Sequence, residues 1–449
     1  MAGSAQLNSN KDQIDSTSQS QLSKNPLLWY AASFDDISSR TADIQHAAEN
    51  CPALALSMHI PFASNSHSFF NANTVVTRQY SLASHFIDNL CCEIAHYGEM
   101  IYRSSTNAGK KPVVDSLTIT GGNPTFLIAS DLARTLECLN RHFHLAEATQ
   151  RDFCITVEAK TFDDDLAKLV KQLGFNRIRL CLEDFSPEVQ FSIQRKYSVY
   201  RIESAIEAAK AAEIPDVSID LIYGLPTQSA ASFLATLQHL IRFKPDDITL
   251  HLLQHQSGSY GLSNTPALLP KPQAITDLQN IATTYLLNQG YSVSGAGCFA
   301  IEPEVARPNQ RGAYNSNQLA LGLGTASLIK PFVWQNCTSL REYTRRISQL
   351  GHARDAGLEL SSDQAIRAEV AAGLLATGTL LKDGFEAKWQ RRFDDYFEQG
   401  LALLAPFIER HEIDNNSDFR LTPTGLWQAA AVAKAILWPN ASPPCPIKD

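Results

Sequence analysis

The 449-residue sequence has no run of about 18 apolar residues, the length a helix needs to cross a bilayer. Its first 25 residues, MAGSAQLNSNKDQIDSTSQSQLSKN, lack the apolar core of a secretory leader. A cytoplasmic protein without a membrane span is therefore expected. Positive charge is also short, with 38 Lys and Arg against 46 Asp and Glu and a net charge of −8. That excludes a broad basic field for nucleic acid or anionic lipid. Nine cysteines are scattered with no disulfide framework, so free and partly buried thiols are expected. Cys91 and Cys92 are adjacent inside a helical pattern, which reads as packing. What the chain does have is a 44% share of hydrophobic residues, enough for a large core. Its length suits one large barrel plus an appended domain.

A β-then-α rhythm starts at Leu54. LALSMHI (54–60) reads as a strand, and the helix after it carries Leu82, Phe86, Leu90 and Ile94 at spacing near four. SLTIT (116–120), FCITVE (153–158), NRIRLCL (176–182), VSIDLIYG (217–224) and DITLHLL (247–253) read as five further strands. Amphipathic stretches alternate with them, and Gly174 reads as a helix stop. Near-continuous apolar strands alternating with helices mean a parallel sheet covered by helices. Periodicity alone leaves an open sheet and a closed barrel equally possible. Past about residue 345 the rhythm gives way to helices, then FRLTPTGLWQ (419–428). The expected division is a polar tail at 1–25, a barrel domain with a lead-in at 26–345, and a small, mostly helical, winged-helix-like domain at 346–449.

In parallel βα folds the active face lies at the strands' C-terminal ends. The residues there are polar. HIPFASNSHSFFNANTVVTR (59–78) follows the first strand and Gly121-Gly122-Asn123-Pro124-Thr125 the second. Glu158 ends the third, Glu183-Asp184 the fourth, and Gln254 and His255 follow the sixth. Asp220 lies inside an apolar strand, so its carboxylate needs a partner or a wet cavity. Each residue also has a plain structural reading: a tight turn for the glycines, a cap or surface acid for Glu158, a solvated helix residue for Arg195. Their recurrence at equivalent ends of successive units is what points to a ligand-binding mouth.

HIPF, the loop ending in NTVVTR, GGNPT, GFNRIRLCLEDF, IDLIYGLPTQ and LGLGTAS occur in the order found in the oxygen-independent coproporphyrinogen III oxidases. YFEQGLALLAPFIE, RLTPTGLWQ and the WYAASF stretch are also similar to that family, and the likeness covers roughly residues 28 to 437. The resemblance implies an α/β partial (β/α)6 TIM-like barrel of the radical S-adenosylmethionine type, with a small, mostly helical C-terminal domain. It implies haem biosynthesis: oxidative decarboxylation of coproporphyrinogen III to protoporphyrinogen IX. Relatives with this fold serve as haem chaperones or open haem anaerobically.

The family carries a CxxxCxxC triplet after HIPF, whose thiolates hold a 4Fe–4S cluster with one iron open to S-adenosylmethionine. The matching positions here are Ala63, His67 and Phe70, and a further family cysteine falls on Ala72. Ala and Phe have no donor atom, and one imidazole does not replace three thiolates. Cys181 and Cys298 can face the barrel interior but cannot recreate that spacing. The cluster is therefore expected to be absent, and the chain leans non-catalytic. By position, the family's S-adenosylmethionine contacts fall on Ser57, Phe69, Gly121, Gly122, Asn123, Glu158, Glu183, Arg195, Asp220, Gln254 and Leu328. Gly121, Gly122, Glu158, Arg195 and Asp220 keep the family residue type. His59 and His67 flank the emptied loop as candidate haem or metal ligands, with packing and solvation as their plain readings. The expectation is a binding role toward a tetrapyrrole (haem or porphyrin) or S-adenosylmethionine, with possible contacts to haem-pathway proteins. An active dehydrogenase with an unforeseen cluster arrangement, and a haem chaperone-like or scaffold protein, are the alternatives.

Overall fold

The computed structural model describes residues 34–35, 37, 40–49, 51, 53–64, 73–102, 112–196, 198–253, 269–301, 317–413 and 416–438. Six parallel strands form its centre: β1 (Ala53–Ile60), β2 (Val113–Gly121), β3 (Asp152–Val157), β4 (Arg177–Leu182), β5 (Asp216–Tyr223) and β6 (Asp247–Leu252). They lie side by side in chain order, each hydrogen-bonded to the next. Helices α1 (Tyr80–Tyr102), α2 (Ala129–His142), α3 (Asp164–Gln172), α4 (Val199–Ala211) and α5 (Ala230–Arg242) make the crossovers, and α6 (Pro272–Asn288) follows β6.

The sheet curls but does not close. The free edge of β6 takes the hairpin β7 (Ser292–Gly295) and β8 (Cys298–Ala300), with β8 antiparallel to it. The free edge of β1 takes β9 (Asn317–Gly322) in parallel, followed by antiparallel β10 (Ala326–Ile329), β11 (Phe332–Asn336) and β12 (Arg354–Glu359). The fold is thus a partial barrel, the architecture that the family resemblance implies. The barrel's sheet runs on to Glu359, past the change of rhythm near residue 345.

Strand alternation decides what faces where. Leu117 and Ile119, Phe153 and Ile155, Ile178 and Leu180, Ile219 and Leu221, and Ile248 and Leu250 join the main apolar core with Phe86, Leu90 and Ile94 of α1. The intervening positions on β3 to β6 are mostly polar, and their mutual contacts across strands place them in the lumen. Local signals set the helix ends. The Asp163 side chain accepts the Leu166 N–H at 3.0 Å to start α3, and Gly174, at φ +89°, sits just beyond that helix.

Glu93 of α1 is fully buried and joins four elements. Its carboxylate accepts from the Gly322 N–H at the end of β9 (2.9 Å) and Asn336 Nδ2 of β11 (2.9 Å). It also accepts from Tyr343 Oη (2.7 Å) of α7 (Leu340–Leu350). Burial pushes its pKa up to about 7 against the pull of those bonds. The C-terminal residues form a second core around Phe385, Phe393, Phe397 and Phe419. Helix α8 (Ser362–Thr377) belongs to it and ties it to the barrel, since the Leu375 carbonyl accepts the Ala296 N–H at 2.8 Å.

Candidate functional site

The mouth is built on two backbone turns that press against each other. Gly121 has φ +132°, and a Cβ there would meet the Ile60 carbonyl oxygen at 2.2 Å. A Cβ on Gly122 would meet the Phe62 oxygen at 2.6 Å. The glycines let the Gly122 N–H reach the Ile60 oxygen (2.9 Å) and the Asn123 N–H reach the Phe62 oxygen (2.7 Å). Their tight-turn reading is therefore sufficient on backbone grounds. Phe62–Ala63 then pairs in parallel with Val75–Val76, closing the feet of the loop between them.

Asn123 and Glu158 meet at this turn. Asn123 Nδ2 donates to Glu158 Oε2 at 2.6 Å, and Asn123 Oδ1 accepts from the Thr125 N–H (3.0 Å) and Oγ1 (2.6 Å). At the next unit Arg195 Nη2 lies 3.2 Å from Glu183 Oε1, with Glu183 buried. Asp184 points elsewhere: its carboxylate accepts from Thr236 Oγ1 (2.7 Å) and Gln228 Nε2 (2.7 Å), and Gln228 Oε1 accepts the Gly224 N–H (2.7 Å). Asp184 is thus a brace for the YGLP turn.

Asp220 receives both partners that its buried position calls for. Arg179 Nε stands 3.8 Å from Oδ1, and His251 Nε2 stands 3.4 Å from Oδ2. Burial works against the Arg179 charge, but Asp220, helped by Cys154 and Asp247, raises its pKa overall. Below them, at the N-terminal ends of the strands, Arg177 lies 3.3 Å from Asp152, 3.6 Å from Asp247 and 3.8 Å from Asp216. Ser218 Oγ adds a 2.6 Å bond to Asp247. Arg177, Arg179 and His251 were not singled out from the sequence. The signal was there, since Arg177 and Arg179 alternate with Ile178 and Leu180 on a strand taken as continuously apolar.

Ser57 sits half-buried in mid-β1, paired with Thr118 and Ala320. Leu328 is buried on β10 and packs with the C-terminal core. Phe69, Gln254, His67, Phe70 and Ala72 lie outside the described residues. His59 is buried, its Nε2 is 3.3 Å from the Asn73 carbonyl oxygen, and burial lowers its pKa to about 4. Its packing-and-bonding reading is therefore sufficient. Among the described residues no group of three His, Cys, Asp or Glu is arranged to hold a metal ion. Cys154 and Cys298 reach the lumen, Cys298 Sγ lying 3.6 Å from Thr249 Oγ1. Burial pushes both thiols up to about 11, so they stay protonated at neutral pH. Among the described residues no helix is long and apolar enough to cross a membrane.

Comparison with known proteins agrees with this architecture. Residues 99–240 match the family described as the radical SAM superfamily. The oxygen-independent coproporphyrinogen III oxidase of Escherichia coli K12 is 29% identical over 376 residues, 80% of each chain. That of Pseudomonas aeruginosa is 27% identical over 375 residues, covering 80% of this chain and 79% of the relative. The solved structure of the Escherichia coli coproporphyrinogen III oxidase, a radical SAM enzyme, superposes with a TM-score of 0.76 at 26% identity. It covers 87% of this chain and 92% of that one.

Proposed function

We propose that this chain, which belongs to the radical SAM superfamily and resembles its coproporphyrinogen III oxidases, binds a tetrapyrrole in the barrel lumen without radical chemistry. The observation that carries this is a contrast within one mouth. The loop positions where the family has cluster thiolates hold Ala63, His67 and Phe70, while Glu158, Glu183 and Asp220 still ring the lumen. A 4Fe–4S cluster does not fit that donor set, because it takes thiolates and Ala63 offers only a methyl. The hard chemistry of the superfamily is the cofactor's own, and the protein supplies binding and orientation. The binding half is the half whose parts remain.

One detail weighs against S-adenosylmethionine: Glu158 is engaged by Asn123, which an incoming ammonium has to displace first. On this reading the protein handles haem or a porphyrin in the cytoplasm, and its C-terminal winged-helix-like unit is tied to the β7–β8 hairpin through α8.

Titration of the purified, iron-free protein with haem and with coproporphyrin III, read by absorbance, tests the proposal. Saturable binding with Kd near or below about 1 µM, roughly 8 kcal/mol, is expected. Only linear, non-saturating absorbance for both ligands would reject it. The overall likeness to an enzyme favours one second reading, the family reaction run by a cluster held in an unforeseen way. S-adenosylmethionine cleavage after anaerobic reconstitution would establish that reading instead.

A further inference from the structure

We propose that Arg179 is the lumen's anchor for a ligand carboxylate, so that the barrel selects an organic acid over a neutral molecule of the same shape. This rests on the tetrapyrrole reading and narrows it, because it names the group of the ligand that is recognised. Arg179 is the third residue in from the strand end that Arg177 begins, paired with Thr156 on one side and Ser218 on the other. Its Nε is buried without a hydrogen-bond partner among the described residues. Its nearest carboxylate, Asp220, stands 3.8 Å from Nε, close enough to balance charge and too far for a hydrogen bond.

A guanidinium has five N–H donors in a planar fork that matches a carboxylate bidentately. Leaving such a group deep in a fold without acceptors is costly unless water or a ligand supplies them. Its side chain is 26% exposed although it springs from the middle of a central strand, so the accessible part faces the lumen. Arg177, two residues earlier on the same face, is 2% exposed and has three carboxylates within 4 Å. Arg177 Nε and Nη1 are likewise without hydrogen-bond partners, so exposure and the number of nearby carboxylates, not the unpaired Nε, separate a guanidinium held by the fold from one left for something that enters. His251 also lines this place, its Nε2 lying 3.4 Å from Asp220 Oδ2.

The ligand class that fits is a carboxylate-bearing ring such as a propionate porphyrin. The test is a fluorescence titration of the full chain with coproporphyrin III and, in parallel, its tetramethyl ester, with Arg179→Met and Arg179→Lys beside the wild type. The wild type should bind the acid about tenfold or more tighter than the ester. Arg179→Met should bring the acid down to the ester's affinity, and Arg179→Lys should fall between, because the charge stays and the fork is lost. Equal binding of acid and ester by the wild type, or an unchanged Arg179→Met, would overturn the anchor and leave the tetrapyrrole reading standing. No binding of either compound by the wild type would remove both. The acid–ester comparison needs no variant, so it decides the matter even if a substitution unfolds the chain.

Discussion

The floor and the middle of the lumen use the same chemistry and reach opposite results. At the floor, Arg177 is sealed beneath the strands among Asp152, Asp216 and Asp247. One level up, Arg179 has a single carboxylate at 3.8 Å and a face open to the cavity. Strand pairing puts both on one side of β4, so the difference lies in what the neighbouring strands place opposite them. Three strand-initial aspartates close the floor. Thr156, Ser218 and Thr249 line the next level with small polar groups. Charge inside a barrel is thus either a clamp on the fold or a handle for a ligand, according to how many partners surround it.

Removing the sealed guanidinium tests that distinction most severely. Arg177→Met leaves two buried carboxylates, Asp152 and Asp247, and the half-buried Asp216 without their cation and should cost about 3–5 kcal/mol, read from the denaturant midpoint. A loss comparable to that of Arg179→Met would erase the contrast. Glu93 is a second sealed charge, outside the lumen. Its pKa of about 7 lies above the ordinary 4.5, so folding takes up a proton between those values. Its contribution is complete below pH 4.5 and declines as pH rises through about 7. Glu93→Gln should flatten that decline. It should also cost about 1–3 kcal/mol where the amide meets the Asn336 donor badly. Identical pH profiles for both proteins would show that Glu93 does not titrate there.

At the mouth the expected effects shrink. Asn123→Ala loses the bonds to Glu158 and Thr125 and should destabilise by about 1 kcal/mol, measured by chemical denaturation. It also frees Glu158, so any S-adenosylhomocysteine heat in calorimetry should rise in this variant. Smallest is the stability change of Arg179→Met, expected within about 1 kcal/mol because the ion pair it breaks is long and partly open. A large loss there would make Arg179 a structural clamp like Arg177.

Much of this architecture can be read from the residues before any coordinates. All six barrel strands coincide with the apolar runs, because a strand covered by helices needs that composition. The helix stop at Gly174 follows from a left-handed residue that glycine adopts freely. Other parts depend on distant partners. Strands β9 to β12 are short and irregular in pattern, and their pairing is set by the edge of β1 and by Glu93 some 230 residues away. The Asp220 carboxylate announces its need for a partner, but not that His251 and Arg179 share the task.

The central claim is that the loop after HIPF does not hold a cluster. Anaerobic reconstitution with iron and sulfide, followed by desalting and assay of iron and acid-labile sulfide, addresses it directly. The account predicts a colourless protein with no more iron than a blank. About four iron atoms per chain, with broad absorbance near 400 nm that falls on dithionite reduction, would contradict it.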